Sequence, residues 1–176
     1  MEEDIKLLRA SDIIKFAISA EENQHKFYSR AADIVQNRDL YDTFIFLADE
    51  EKQHKKHFQG MLKVIDTMDF DKALPEGYFE FLNTLLRDIT FIANNFETIL
   101  SRIKTAEHAI SFAINHEAEF LLYYIELRSM VPGQEQIVID KIISEERNHF
   151  TMLSAIKSKL YLVDNEGRQN AEHQRH

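Results

Sequence analysis

Four stretches of this chain carry apolar residues at alternating steps of three and four, and each is interrupted near its middle by polar side chains. The first runs Ile14, Ala17, Glu21, Gln24, Tyr28, Ala31, Val35, and the second Phe44, Leu47, Glu51, His54, Phe58, Met61, Ile65. The third is Ile110, Ala113, Glu117, Phe120, Tyr124, Leu127, Val131, and the fourth Ile139, Ile142, Glu146, His149, Leu153, Ile156, Leu160. That period is helical, and such stripes are what the helices of a bundle turn toward one another. No segment shows the sustained alternation of a strand. The expected fold class is all-α, with ionisable groups placed where burial is deepest.

Punctuation orders the helices. The first is expected to start after Ser11 and to end near Asn37, a residue type that tolerates a left-handed C-terminal cap. A second runs from Asp39 to about Met68, before Asp69-Phe70-Asp71 and Pro75-Glu76-Gly77 break it. Residues 78–103, rich in aromatics, Ile and Leu, read as a further helical segment inside a long connection. A third long helix spans Thr105 to Val131, Pro132-Gly133 turns the chain, and a fourth runs from Gln134 to Leu162. The polar tail, residues 164–176, has no apolar pattern and is expected to fray. Residues 1–163 are thus expected to form one domain: hairpin one (11–68), a crossover (70–104) and hairpin two (105–162) in a four-helix bundle. The hairpins read as duplicates. Phe16-Ala17-Ile18-Ser19-Ala20-Glu21 matches Phe112-Ala113-Ile114-Asn115-His116-Glu117, and Glu50-Glu51-Lys52-Gln53-His54 matches Glu145-Glu146-Arg147-Asn148-His149. The two registers differ by a single residue, as a small loop change after duplication would leave them.

Composition closes off several function classes. With 176 residues the chain can bury a full core, and 4 Gly with 2 Pro leave little material for β-turns. A formal net charge of −9 disfavours nucleic acid and anionic membrane surfaces as partners. Cysteine is absent, which excludes disulfides, thiolate metal sites, iron–sulfur clusters and Cys nucleophiles. The opening Met1-Glu2-Glu3-Asp4 has no basic leader character, and no apolar run is long enough to span a membrane. A soluble cytoplasmic protein is expected.

Four carboxylates in one apolar core repel each other and lose hydration, at a cost of several kcal/mol per ion unless they are compensated. No Lys or Arg occupies a seam position to compensate them. Two divalent cations would balance the four charges, and two imidazoles would complete the ligand set. Glu and His at i and i+3 lie roughly 60° apart on a helix, one turn along, so both reach one ion. One Glu from each of two helices plus Glu-x-x-His from each of the other two is the ligand set of carboxylate-bridged di-metal bundles. Oxygen-rich ligation with two His favours Fe or Mn over Zn. A lone Glu-x-x-His is a weak signal, as Glu22-Asn23-Gln24-His25 shows: Ala118 and Leu121 stand where a repeat would echo it. The weight rests on the two motifs, their two Glu partners and the symmetric order together.

The strings FAISAEENQHKFY, LADEEKQHKKHF, FAINHEAEFLLYY and IISEERNHF make the chain resemble the rubrerythrin-like branch of the ferritin-like superfamily over most of residues 11–160. That resemblance implies a ferritin-like four-helix bundle with Glu21, Glu51, His54, Glu117, Glu146 and His149 as ligands of two iron ions per chain, manganese being the other candidate. It implies reaction with peroxide or O2, and a homodimer. Typical rubrerythrins have an extra Glu three residues after the ligand on the third helix, used when one iron changes ligands during peroxide reduction. Phe120 stands at that position. A rubredoxin-like centre of four cysteines has no counterpart, so electrons are expected from a separate donor protein. Cage-forming ferritins use a less symmetric ligand set.

Tyr28 and Tyr124 follow Glu21 and Glu117 by two turns, so each is either a phenol bonded to a ligand carboxylate or a core aromatic satisfied elsewhere. His25, one turn beyond Glu21, reads as a structural histidine rather than a relay or extra ligand. His57 reads as structural or surface, and His116 should point away from the seam. Glu22, Glu50, Glu119 and Glu145 read as solvated. Tyr78, Phe79, Phe81, Phe91 and Phe96 suit packing or dimerisation, with a substrate tunnel as the other reading. The leading expectation is a non-haem di-iron oxidoreductase acting on peroxide or dioxygen. Its rivals are an iron-binding or ferroxidase-type protein and a metal-free helical interaction module.

Overall fold

A computed structural model describes residues 10–65, 84 and 95–173 of the chain. It contains helices α1 (Ala10–Ile34), α2 (Arg38–Ile65), α3 (Phe96–Arg102), α4 (Ala106–Arg128) and α5 (Gly133–His173). Among the described residues there is no strand, and no helix is long and apolar enough to cross a membrane. Most of the crossover expected at 70–104, with Pro75-Glu76-Gly77 and the aromatics from Tyr78 to Phe91, lies outside the described residues, as does the side chain of Phe96.

Helix ends follow local chemistry. The α1–α2 link is where expectation and structure differ: α1 stops at Ile34, and Asn37 serves the following helix instead of closing the preceding one. Its Oδ1 accepts from Leu40 N at 3.0 Å, filling a backbone donor that the first turn of α2 leaves unsatisfied. Thr105 caps α4 in the same way, accepting from His108 N. The carbonyl of Pro132 accepts from Glu135 N and Gln136 N and so starts α5. Arg128 and Asp140 make a two-pronged ion pair across this second turn, with Nη2 to Oδ2 at 2.9 Å. Past Leu162 the chain remains helical to His173 instead of fraying, since no proline interrupts it and backbone hydrogen bonds need no apolar face to continue.

The packing is a ferritin-like bundle of four long helices. α1 pairs with α2 and α4 with α5; α1 also touches α4, and α2 touches α5. Every neighbouring pair is antiparallel, as the core shows. One apolar cluster joins Ile14 and Ala17 of α1 to Phe58 and Met61 of α2, Tyr124 and Leu127 of α4, and Ile139 and Ile142 of α5. The other joins Phe27 and Ala31 to Phe44 and Leu47, Ile110 and Ala113, and Leu153. Between these two ends lies a layer of buried Glu21, Gln24, Glu51, His54, Glu117, Glu146 and His149. The core is therefore apolar, polar and apolar again along the bundle axis.

α4 buries more than its expected seam. Ala109, His116 and Tyr123 form a second buried stripe, faced by Ala20 and Phe27 on α1. Phe27 meets Phe112 at 4.9 Å between ring centroids, and Phe16 meets Tyr123 at 5.4 Å, so this stripe fills the α1–α4 contact. His116 points into it, packed between the rings of Phe112 and Phe120 at 5.0 and 4.8 Å. It is away from the polar layer, yet buried.

Candidate metal centre

All six residues singled out by the seams converge in the polar layer. Glu21, Glu51, His54 and Glu146 place one potential ligand atom each within 4.8 Å of one another, and Glu51, Glu117, Glu146 and His149 do the same. Glu51 and Glu146 belong to both groups, and each group draws on both hairpins. The carboxylates are fully buried and the two imidazoles nearly so.

His54 shows how the layer is organised. Its Nε2 faces Glu145 Oε2 at 3.2 Å, a contact that fixes the ring with Nδ1 turned inward. Around Nδ1 stand Glu146 Oε1 at 2.9 Å, Glu51 Oε2 at 3.1 Å and Glu21 Oε1 at 3.8 Å. If Nε2 donates to Glu145, the neutral ring presents a lone pair at Nδ1, directly toward carboxylate lone pairs. Either the ring takes a second proton or a cation lies between them. His149 repeats the arrangement, with Nδ1 at 3.3 Å from Glu146 Oε2, 3.6 Å from Glu51 Oε1 and 4.0 Å from Glu117 Oε1. The two rings lie 5.9 Å apart and nearly parallel.

Without a cation, protons must do the compensating. Burial, then the charge of Glu51, raises Glu21 well above the ordinary carboxylate range. Burial and the charge of Glu146 do the same to Glu117. For His54 burial opposes protonation, but the Glu146 and Glu51 carboxylates overcome it and raise the imidazole far above its usual value. His149 is raised against burial by Glu146. Glu146 moves the other way: burial would raise it, yet His149 and His54 hold it well below the ordinary range. Even so, Glu21 Oε2, Glu51 Oε1, Glu117 Oε2, both oxygens of Glu146 and Nδ1 of His149 have no hydrogen-bond partner among the described residues. Buried polar atoms are seldom left so, since each costs about 1–3 kcal/mol. Hard oxygen donors and imidazole nitrogens gathered this closely are a donor set that fits two divalent cations.

The tyrosines cross between hairpins. Tyr28 of α1 donates to Glu117 Oε1 on α4, and Tyr124 of α4 donates to Glu21 Oε1 on α1. Because α1 and α4 run antiparallel, each phenol meets the carboxylate of the other helix. Burial, with Glu117 and Glu21 respectively next in effect, keeps both phenols protonated and therefore donors. Tyr28→Phe is expected to cost about 1–3 kcal/mol by stripping Glu117 of its donor, a loss measurable by thermal unfolding.

Glu145 departs from the sequence expectation of a solvated residue. It is 24% exposed, held on one side by Lys141 and on the other bound to His54. The signal was faint, because only the packing of α2 against α5 brings it to that ring. His25 lies outside both groups, its Nδ1 at 2.8 Å from the Ala48 carbonyl, and so ties α1 to α2. Glu22 bonds Lys55 across the same pair of helices. His57 is exposed. A cavity of about 480 Å³ lined by Lys26, Arg30, Glu97 and Lys104, between α1 and α3, shares no residue with the polar layer.

The family model for rubrerythrin matches residues 12–157, a span that takes in most of each of the four long helices and every residue of the polar layer. The chain belongs to the rubrerythrin family. A crystal structure from Thermotoga maritima, provisionally described as a ferritin-like diiron-carboxylate protein, is similar to it, with a TM-score of 0.63 and 25% identity. The similarity covers 86% of this chain and 95% of that one. Among curated proteins, none matches the sequence. Rubrerythrin family membership and the bundle topology thus rest on the same four helices that carry the buried Glu and His residues.

Proposed function

We propose that this rubrerythrin-family chain is a non-haem di-iron oxidoreductase that reacts with peroxide or dioxygen. The observation that carries the reading is the pair of overlapping ligand groups sharing Glu51 and Glu146. Glu21 and His54 would serve one metal ion, Glu117 and His149 the other, and Glu51 with Glu146 would serve both. The donor set suits iron or manganese, and a bound pair would supply two-electron redox chemistry toward peroxide or O2.

The protein's contribution is placement and exclusion. Glu145 orients His54 by binding its far nitrogen, leaving the near one as ligand. Tyr28 and Tyr124 hold one oxygen each of Glu117 and Glu21, which would fix the orientation of those carboxylates toward a bound metal. The apolar clusters above and below keep bulk water from the layer. Electrons are proposed to come from a separate donor protein, because these 176 residues contain no cysteine to hold an iron–sulfur or rubredoxin-type centre.

The test is elemental analysis of protein purified without a metal-chelating column, followed by anaerobic Fe(II) loading and peroxide addition with a reductant. About two iron or manganese ions per chain, and peroxide consumption that stops when a chelator removes them, are expected. Two metals without turnover of peroxide or O2 would remove the enzyme reading. A chain that takes up no metal would point to a helical interaction module, and many irons per chain to ferroxidase-type storage.

A further inference from the structure

One buried polar side chain in the layer has no part in either ligand group. Gln24 is 1% exposed, and both its Oε1 and its Nε2 lack a hydrogen-bond partner among the described residues. An unpaired buried amide is costly and rare enough to need an explanation. Its position supplies one. Gln24 follows Glu21 by three residues and precedes Tyr28 by four on the inward face of α1, about 4.5 Å along the helix from Glu21. Glu21 belongs to the His54 group, whereas Tyr28 reaches Glu117 of the His149 group. Gln24 therefore lines the α1 wall as the helix passes from the first group to the second. The matching position on α4 is Phe120, whose ring packs on His116 and Tyr124 and offers no polar atom. The two ligand groups are alike in residue type, and Gln24 and Phe120 break that likeness on their facing walls.

We propose that the Gln24 amide is the hydrogen-bond donor that holds a small anionic ligand, hydroperoxide included, on the Glu117–His149 side of the centre. This rests on the metal reading above. The amide group donates two hydrogens, whereas the other polar side chains of the layer are carboxylates, which have no hydrogen to donate when ionised, and two imidazoles whose Nδ1 atoms face those carboxylates. An incoming anion meets a donor on the α1 wall and an apolar ring on the α4 wall. Binding is therefore one-sided, and the two metal positions are inequivalent toward exogenous ligands.

The experiment is azide titration of the iron-loaded protein, followed by the absorption band that azide produces, with iron content measured on the same samples. Gln24→Met keeps the length of the side chain and removes both donors, and Gln24→Leu is the second variant should the thioether disturb packing. Both are expected to hold the wild-type amount of iron and to bind azide at least tenfold more weakly. Full iron content with unchanged azide affinity in the Gln24 variants would overturn this inference alone. Absence of iron from the wild-type protein would overturn the metal reading and this inference with it.

Discussion

Glu146→Ala is expected to abolish metal uptake altogether, whereas Glu21→Ala should remove about half of it. The difference follows from membership: Glu146 stands in both ligand groups and Glu21 in one. Glu146 also faces both imidazoles, at 2.9 Å from His54 and 3.3 Å from His149, so its loss frees both rings at once. Glu51→Ala should behave like Glu146→Ala, and Glu117→Ala like Glu21→Ala. Thermal unfolding gives an independent measure. A metal at a hundredfold excess over its dissociation constant stabilises the wild type by about 2.7 kcal/mol, and the Glu146 variant should gain none of that. One metal retained by Glu146→Ala with unchanged affinity would mean that the two groups do not share that carboxylate.

The second large effect is a reversal of pH dependence when metal is bound. In the metal-free protein, Glu21 and Glu117 are raised above the ordinary carboxylate value of 4.5, so the folded chain holds protons that the unfolded chain releases. Their contribution is complete below that value and is lost as pH rises toward the folded values. His54 and His149, raised above 6.5, have the same sign: stability present at low pH declines as pH rises. Glu146 has the opposite sign, but its contribution is lost only in acid, as pH falls below 4.5 toward its depressed folded value. Between about pH 5 and 8 the metal-free protein should therefore lose melting temperature steadily. With metal, the ligands must shed those protons, binding tightens with pH, and melting temperature should rise over the same interval. Parallel slopes with and without metal would mean that these carboxylates are not the ligands.

The ligand candidates were legible because a helical seam is a strict test. A Glu at a position otherwise reserved for Ile or Leu must be buried, and Glu21, Glu51, Glu117 and Glu146 are. Contacts that depend on how one helix faces another were not. Spacing put Tyr28 two turns from Glu21, whereas the antiparallel run of α1 and α4 carries its hydroxyl to Glu117. Glu145 sits beside a ligand in sequence, and only the seating of α2 on α5 turns it toward His54. His116 is buried by a second stripe that a single seam does not reveal. Asn37 suits either end of a helix by residue type, and its hydrogen bond to Leu40 decides for the start of α2.

The crossed tyrosines also bear on how the molecule assembles. Each hairpin brings carboxylates and one histidine, but the donor for its α1 or α4 carboxylate comes from the other hairpin. Neither ligand group can be completed from one hairpin alone. Helices and hairpins can form early, from local contacts, while the centre comes into being only when the two halves dock. Capture of metal during refolding is thus a clock for that docking step: a signal that lags behind helix formation and coincides with burial of Tyr28 and Tyr124.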